Sequence, residues 1–223
     1  SKDAFGCAAL LDAMSSFDIK DSTCSQRKEI NYERCLDEDT KSLKIGVIKN
    51  LESFGISDSV LKAYEASLTI LESLGHKLIE VDFSELSSGI CSYYVIAPAE
   101  CSSNLSRFDG VKFGHRTNKQ QDISELYMST RAEGFGDEVK KRILIGTHVL
   151  SAGFYDAYYL KAQKVRRMIK NKFEEMYKDV DLIFMPTTLD QAFEKNRQSE
   201  DPNRMYKEDL LTIPANLAGL PAI

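Results

Sequence analysis

The 223-residue sequence predicts an α/β domain whose sheet is incomplete. Three observations carry that expectation. Two short β-branched runs flank an amphipathic helix between Lys44 and Phe83, long helical patterns fill the middle of the chain, and only three stretches read as convincing strands. Apolar side chains make up 43% and charged ones 28%, enough apolar content for a real core and too much for a disordered chain. The length suits one large domain or at most two small ones.

Each element has a local reason. Asp3 caps a first helix that puts Phe5, Ala8, Ala9, Leu11 and Met14 on one face. Residues 17–42 are polar and irregular and read as a surface loop. Lys44–Ile48 (KIGVI) is the first strand. Ser57 or Ser59 then caps a helix in which Val60, Leu61, Tyr64, Leu68, Leu71 and Leu74 recur at three- and four-residue spacing, with Gly75 as its left-handed stop. His76–Phe83 is the second strand, and strand–helix–strand in so short a stretch predicts parallel pairing.

The middle is helical. Residues 88–107 carry Tyr93, Tyr94, Val95, Ile96 and Leu105, and Pro98 is expected to kink or interrupt that helix. Ser124–Glu133 and Gly136–Leu150 are two further helices about a Gly134-Phe135-Gly136 hinge. Tyr155–Tyr177 reads as the longest helix, with Tyr159, Ala162, Val165, Ile169, Phe173 and Met176 as its buried stripe. Asp181–Met185 is a third strand, stopped by Pro186. Both ends look cut: Ser1 opens straight into a helix, and Leu220-Pro221-Ala222-Ile223 reads as the start of a core strand. The expectation is a piece of a longer chain.

Several function classes are set aside by composition. No apolar run approaches the ~18 residues needed to cross a bilayer, and no signal-peptide pattern opens the chain, so a globular segment in the cytoplasm is expected. A net charge of −5 argues against a dedicated nucleic-acid-binding domain. The five cysteines hold no CxxC pair, and His76, His115 and His148 are far apart, so neither a disulfide framework nor a metal site is expected. There is no nucleophile elbow, no Gly-Gly-Ser, no phosphate-binding loop and no dinucleotide fingerprint, and no Ser, Cys or His sits in the context of an activated nucleophile.

Two polar residues stand out by position. Arg142 falls on the apolar stripe Val139, Ile143, Gly146, Val149 and Leu150, where a buried guanidinium needs a carboxylate partner. It either binds a carboxylate ligand or closes an internal salt bridge. Asp209, just ahead of an apolar run, is either a helix N-cap or an anion that receives an ammonium group. Lys140 to Lys172 holds nine Lys or Arg and one acidic residue, Asp156. That stretch is either a solvated basic face or an RNA-contacting one.

Longer motifs add a resemblance. Ser92-Tyr93-Tyr94-Val95-Ile96-Ala97-Pro98-Ala99-Glu100 and Ser102-Ser103-Asn104-Leu105-Ser106-Arg107-Phe108-Asp109-Gly110 resemble the A subunits of tRNA-dependent amidotransferases, a branch of the amidase signature family. So do Arg131-Ala132-Glu133-Gly134-Phe135-Gly136, Tyr155-Asp156-Ala157-Tyr158-Tyr159, Met205 to Thr212, and Asn216-Leu217-Ala218-Gly219-Leu220-Pro221. The resemblance spans the whole chain and implies the amidase signature fold, a mixed sheet covered by helices on both faces. Residues 1–223 would be one segment of that domain, without its N-terminal catalytic half and last C-terminal strands.

The resemblance also implies a chemistry. A lysine–serine–serine triad, outside this segment, would hydrolyse glutamine through an acyl-enzyme, and no catalytic residue is carried over here. Arg142 matches the family arginine that binds the glutamine α-carboxylate, Asp209 the aspartate that binds its α-ammonium, and Tyr93 a tyrosine near the pocket. The segment itself would hold no cofactor or metal. The released ammonia would reach a B subunit, where ATP and magnesium activate glutamate on Glu-tRNA(Gln), while a C subunit clamps A to B. The run Thr188-Leu189-Asp190-Gln191 departs from the usual Ala-Pro-Thr continuation and puts the shape of that loop in question. A general amidase and a non-catalytic scaffold are the rival expectations.

Overall fold

The computed structural model describes residues 1–26, 30–36, 41–119, 122–193, 195 and 207–223, in two compact units, 1–42 and 43–223. In the smaller unit, α1 (Ala4–Met14) begins where the Asp3 carboxylate accepts the Gly6 N–H at 2.7 Å, as the sequence predicts. Ala8 is buried, while Phe5, Leu11 and Met14 stay exposed. The stretch read as an irregular loop contains a helical turn, α2 (Tyr32–Cys35). Asn31 caps it, and the Asp12 carboxylate accepts the N–H groups of Tyr32 and Glu33 at 2.7 and 3.1 Å. Those side-chain caps explain a helix too short for periodicity to reveal.

Among the described residues, the larger unit is built on three parallel strands in the order β2-β1-β3: β1 (Lys44–Ile48), β2 (Lys77–Val81) and β3 (Leu182–Phe184). Ile45 of β1 pairs with Leu78 on one side and Leu182 on the other. With neighbours on both edges, β1 is buried from Ile45 to Ile48. The crossover is α3 (Asp58–Ser73), which starts after Ser57. It ends in a Schellman motif: His76 N–H donates to Leu71 O and Gly75 N–H to Glu72 O, with Gly75 at φ 86°. Leu74, counted in the apolar stripe, is 66% exposed because it is the C-cap residue and no longer follows the helical face.

Five more helices complete the unit among the described residues: α4 (Gly89–Leu105), α5 (Ile123–Gly134), α6 (Asp137–Val149), α7 (Lys161–Met176) and α8 (Ile213–Ala218). Pro98 does not interrupt α4 as expected. The helix continues through it for seven more residues, so the lost amide is tolerated within the surrounding packing. Gly134 and Gly136 flank the α5–α6 joint as predicted. The predicted helix from Tyr155 starts differently: Tyr155–Leu160 is wound as a wider π-helical turn before α7 takes over. Of the stripe read from the sequence, Ala162, Ile169, Phe173 and Met176 are buried, while Tyr159 and Val165 are half-buried.

The core sits between the sheet, α4, α7 and α8. Phe83 packs edge-on to Phe54 and Phe173, with ring centroids 6.2 and 6.1 Å away, and Leu86, Ile169, Leu211 and Ile213 close around them. Residues 220–223 form no strand, and Ile223 is fully exposed.

Tyr64 ties α3 to the sheet. Its ring stacks on Phe184 at 5.5 Å, and its hydroxyl donates to the Phe184 carbonyl at 3.0 Å. Burial raises its pKa above the ordinary value of about 10. The neutral hydroxyl therefore stabilises the fold fully below pH ~10; above it the unfolded chain ionises first and the contribution is lost. Tyr64→Phe is expected to cost about 1 kcal/mol at pH 8 and less at pH 10.5 and above, as measured by urea unfolding. A cost that grows with pH would contradict this assignment.

Candidate functional site

The site is set by how closely α4 and α6 approach. A Cβ at Gly146 of α6 would run into the Pro98 carbonyl of α4 and lie 2.7 Å from the Ser102 Cβ, so the helices meet backbone to backbone. The Ser102 and Thr147 hydroxyls, 2.9 Å apart, join the same crossing. One turn before Gly146 stands Arg142, and one turn before Pro98 stands Tyr94. Between them opens a groove of roughly 330 Å³. Its walls are Ile90, Tyr94, Pro98 and Ile145, and its charges are Glu138, Lys141 and Arg142.

Arg142 faces inward on α6, as its place on the stripe predicts, but it is not buried: its side chain is 38% exposed. The carboxylate partner required by the sequence argument is local. Arg142 Nε donates to Glu138 Oε1 at 3.3 Å, one turn back on the same helix. This hydrogen bond, with the nearby Tyr93 hydroxyl adding to it, raises the Arg142 pKa against partial burial and keeps the guanidinium charged. Glu138 Oε2 is also 3.8 Å from Lys141 Nζ. Two cations against one carboxylate leave the groove with a positive excess, which suits an anionic ligand with an apolar body. Tyr93 and Tyr94 sit edge-on at 5.2 Å, the first turned to Arg142 and the second lining the groove.

Asp209 is not among the residues that line this groove. Its side chain is exposed in the turn at 207–212, and no hydrogen bond or ion pair joins its carboxylate to Arg142 or Tyr93 among the described residues. Of the two readings of Asp209, the helix N-cap is not what the structure has. α8 starts later, at Ile213, so Thr212 takes the cap position and Asp209 supplies only its carbonyl, to Ile213 N–H at 3.0 Å and Thr212 Oγ1 at 3.3 Å. The preceding Met205-Tyr206 of the motif lie outside the described residues. The next-door Glu208 accepts the Leu189 N–H at 3.1 Å, and Leu189 O accepts the Ser57 N–H at 2.8 Å. The departing loop Thr188–Gln191 is thereby tied between α3 and the Asp209 turn.

Five of the nine basic residues in the stretch stand in local pairs: Lys140 with Asp137, Lys141 and Arg142 with Glu138, Lys170 with Glu174, and Lys172 with Glu175. Acids just outside the counted window carry these pairs, as a solvated helix face requires. Glu133 forms a second cluster, bonded to His115 Nε2 at 3.0 Å and Thr117 Oγ1 at 3.1 Å, which holds its carboxyl below the usual range and fastens the 108–119 segment to α5. Among the described residues no group of three His, Cys, Asp or Glu could hold a metal, and no helix is long and apolar enough to cross a membrane. Sequence reasoning missed Glu138, although its i,i+4 spacing to Arg142 is a standard pairing distance. It counted Gly146 in the apolar stripe without reading the close approach that a lone glycine inside a helix can signal.

Comparison with known proteins bears on the family. A profile of the amidase family matches residues 1–223. The A subunit of the Cellvibrio japonicus glutamyl-tRNA(Gln) amidotransferase is 48% identical over 223 residues, covering all of this chain and 46% of that protein. Its counterpart of the same name from Thiobacillus denitrificans is 48% identical over 217 residues, 97% of this chain and 45% of its own length. Among solved structures, the A subunit of the Thermotoga maritima glutamyl-tRNA(Gln) amidotransferase is 35% identical with a TM-score of 0.68, over 95% of this chain and 41% of that one. The chain thus spans a little under half the length of the relatives it matches.

If backbone contact at Gly146 sets the groove, an added methyl must push α4 and α6 apart. Gly146→Ala is expected to lower the unfolding free energy of the chain by roughly 1–3 kcal/mol, although alanine favours helix by about 1 kcal/mol at an unconstrained position. Chemical denaturation reads the difference, and a more stable variant would show that the crossing is loose.

Proposed function

The chain belongs to the amidase family, and on that premise we propose that it is part of the glutamine-hydrolysing A subunit of a tRNA-dependent amidotransferase. What supports the reading most is identity of nearly one half with such A subunits along the whole chain. The site adds to it: a positively charged groove with an apolar wall, in which Arg142 keeps donors for a carboxylate.

In this reading the segment holds the amino-acid end of glutamine. The Arg142 guanidinium takes the α-carboxylate, Tyr93 braces the guanidinium, and Asp209 takes the α-ammonium from the 207–212 turn. Fixing that end presents the side-chain amide to a lysine–serine–serine triad supplied by another part of the same polypeptide, which turns binding energy into orientation. Ammonia then passes to a B subunit that amidates Glu-tRNA(Gln) in the cytoplasm using ATP and magnesium, with a C subunit holding A and B together. Those groups belong to the partners, and the chemistry of this chain is recognition. A general amidase of uncharged substrates would have no use for the excess of cations over acids in the groove.

The test is Arg142→Ala in the complete A–B–C complex, with glutamine and ammonium compared as nitrogen donors. Loss of a paired carboxylate contact predicts a rise of about 100-fold or more in KM for glutamine, with ammonium-driven amidation continuing. Equal losses with both donors would remove Arg142 from glutamine recognition.

A further inference from the structure

We propose that Glu138 is a positioning residue for the same site. By holding Arg142 at Nε it turns the remaining N–H donors of the guanidinium toward the ligand carboxylate. The inference rests on the amidotransferase reading and adds a residue to it.

A guanidinium carries five N–H groups in one plane, one on Nε and four on the two Nη atoms. Glu138 engages the first of these, through one oxygen at 3.3 Å, which leaves Nη donors for a ligand carboxylate. The second Glu138 oxygen is 3.8 Å from Lys141 Nζ, so the carboxylate is held from two sides and does not swing freely into the groove. It reaches Arg142 along their shared helix, from one turn back, while Tyr93 reaches the guanidinium from α4. A side chain with several rotatable bonds and a third of its surface exposed has many orientations available. Fixing its plane before the ligand arrives removes part of that ordering cost from binding, so the effect falls on affinity rather than on turnover.

Glu138 is itself exposed on the first turns of α6, and alanine there favours helix, so its variants are expected to fold. In the complete A–B–C complex, Glu138→Ala is expected to raise KM for glutamine roughly three- to tenfold, with kcat within about twofold of the parent. Glu138→Gln, which keeps an acceptor oxygen but loses the charge, falls between the two. A glutamine KM at or below the parent value in Glu138→Ala overturns the proposal, the lower value marking Glu138 as a competitor for Arg142. Equal losses with glutamine and with ammonium also overturn it, as a structural effect. Arg142→Ala in the same assay separates the two levels. If it raises KM and Glu138→Ala does not, only the role of Glu138 falls; if it too leaves KM unmoved, the glutamine-site reading falls with it.

Discussion

The backbone contact between Gly146 and Pro98 is the constraint from which the site follows. Helices usually pack with side chains between them, at separations of about 8–10 Å. Here a residue without a Cβ lies against the Pro98 carbonyl, and there is no room for a side chain between the two backbones. Positions one turn away on each helix, Arg142 and Tyr94, are thereby brought to opposite sides of a narrow groove. Tyr93, the neighbour of Tyr94, is carried to the guanidinium by the same approach. Substituents at the crossing are small, and those flanking it are large or charged, which is the arrangement that turns a helix contact into a pocket.

That crossing is useful only because α4 is held rigidly by the rest of the unit. At its start, a Cβ on Gly89 would lie 3.3 Å from Pro214 of α8 and 3.5 Å from Ile169 of α7, a second close approach. Further along, the Tyr159 hydroxyl reaches Glu100 at 3.2 Å from the π-helical turn that precedes α7. α7 in turn is set by Phe173 against Phe83 and by Arg166 Nε, which donates to the Leu217 carbonyl at 2.9 Å. The three-stranded sheet anchors this helical layer through the loops at its strand ends. The charge pairs around the groove are solvent-exposed and contribute little to stability, so they orient side chains more than they hold the fold together.

Much of the architecture was legible because the signals were local and periodic. The β1–α3–β2 unit, its parallel pairing and the Gly75 stop follow from spacing and one glycine, and the α7 stripe from residues Ala162 to Met176. What escaped depended on neighbours distant in sequence. The unbroken path of α4 through Pro98 and the winding of the Tyr155–Leu160 turn are set by packing that no short window contains. The α2 turn rests on capping by Asn31 and on Asp12, twenty residues before it. At the site, the inward direction of Arg142 was readable from its stripe. Its exposure was not, since that depends on a groove made by another helix. Asp209 was marked by its place in a motif, and its turn is fixed by Glu208 and the Leu189 loop, a contact across nineteen residues.

The account stands on the groove between α4 and α6 receiving an amino-acid carboxylate. A crystal structure of the complete protein with glutamine bound tests this most directly. The account predicts the α-carboxylate within hydrogen-bond distance of the Arg142 Nη atoms, with Glu138 still on Nε and the ammonium near Asp209. Glutamine bound away from α6, with Arg142 paired only to Glu138, would contradict it.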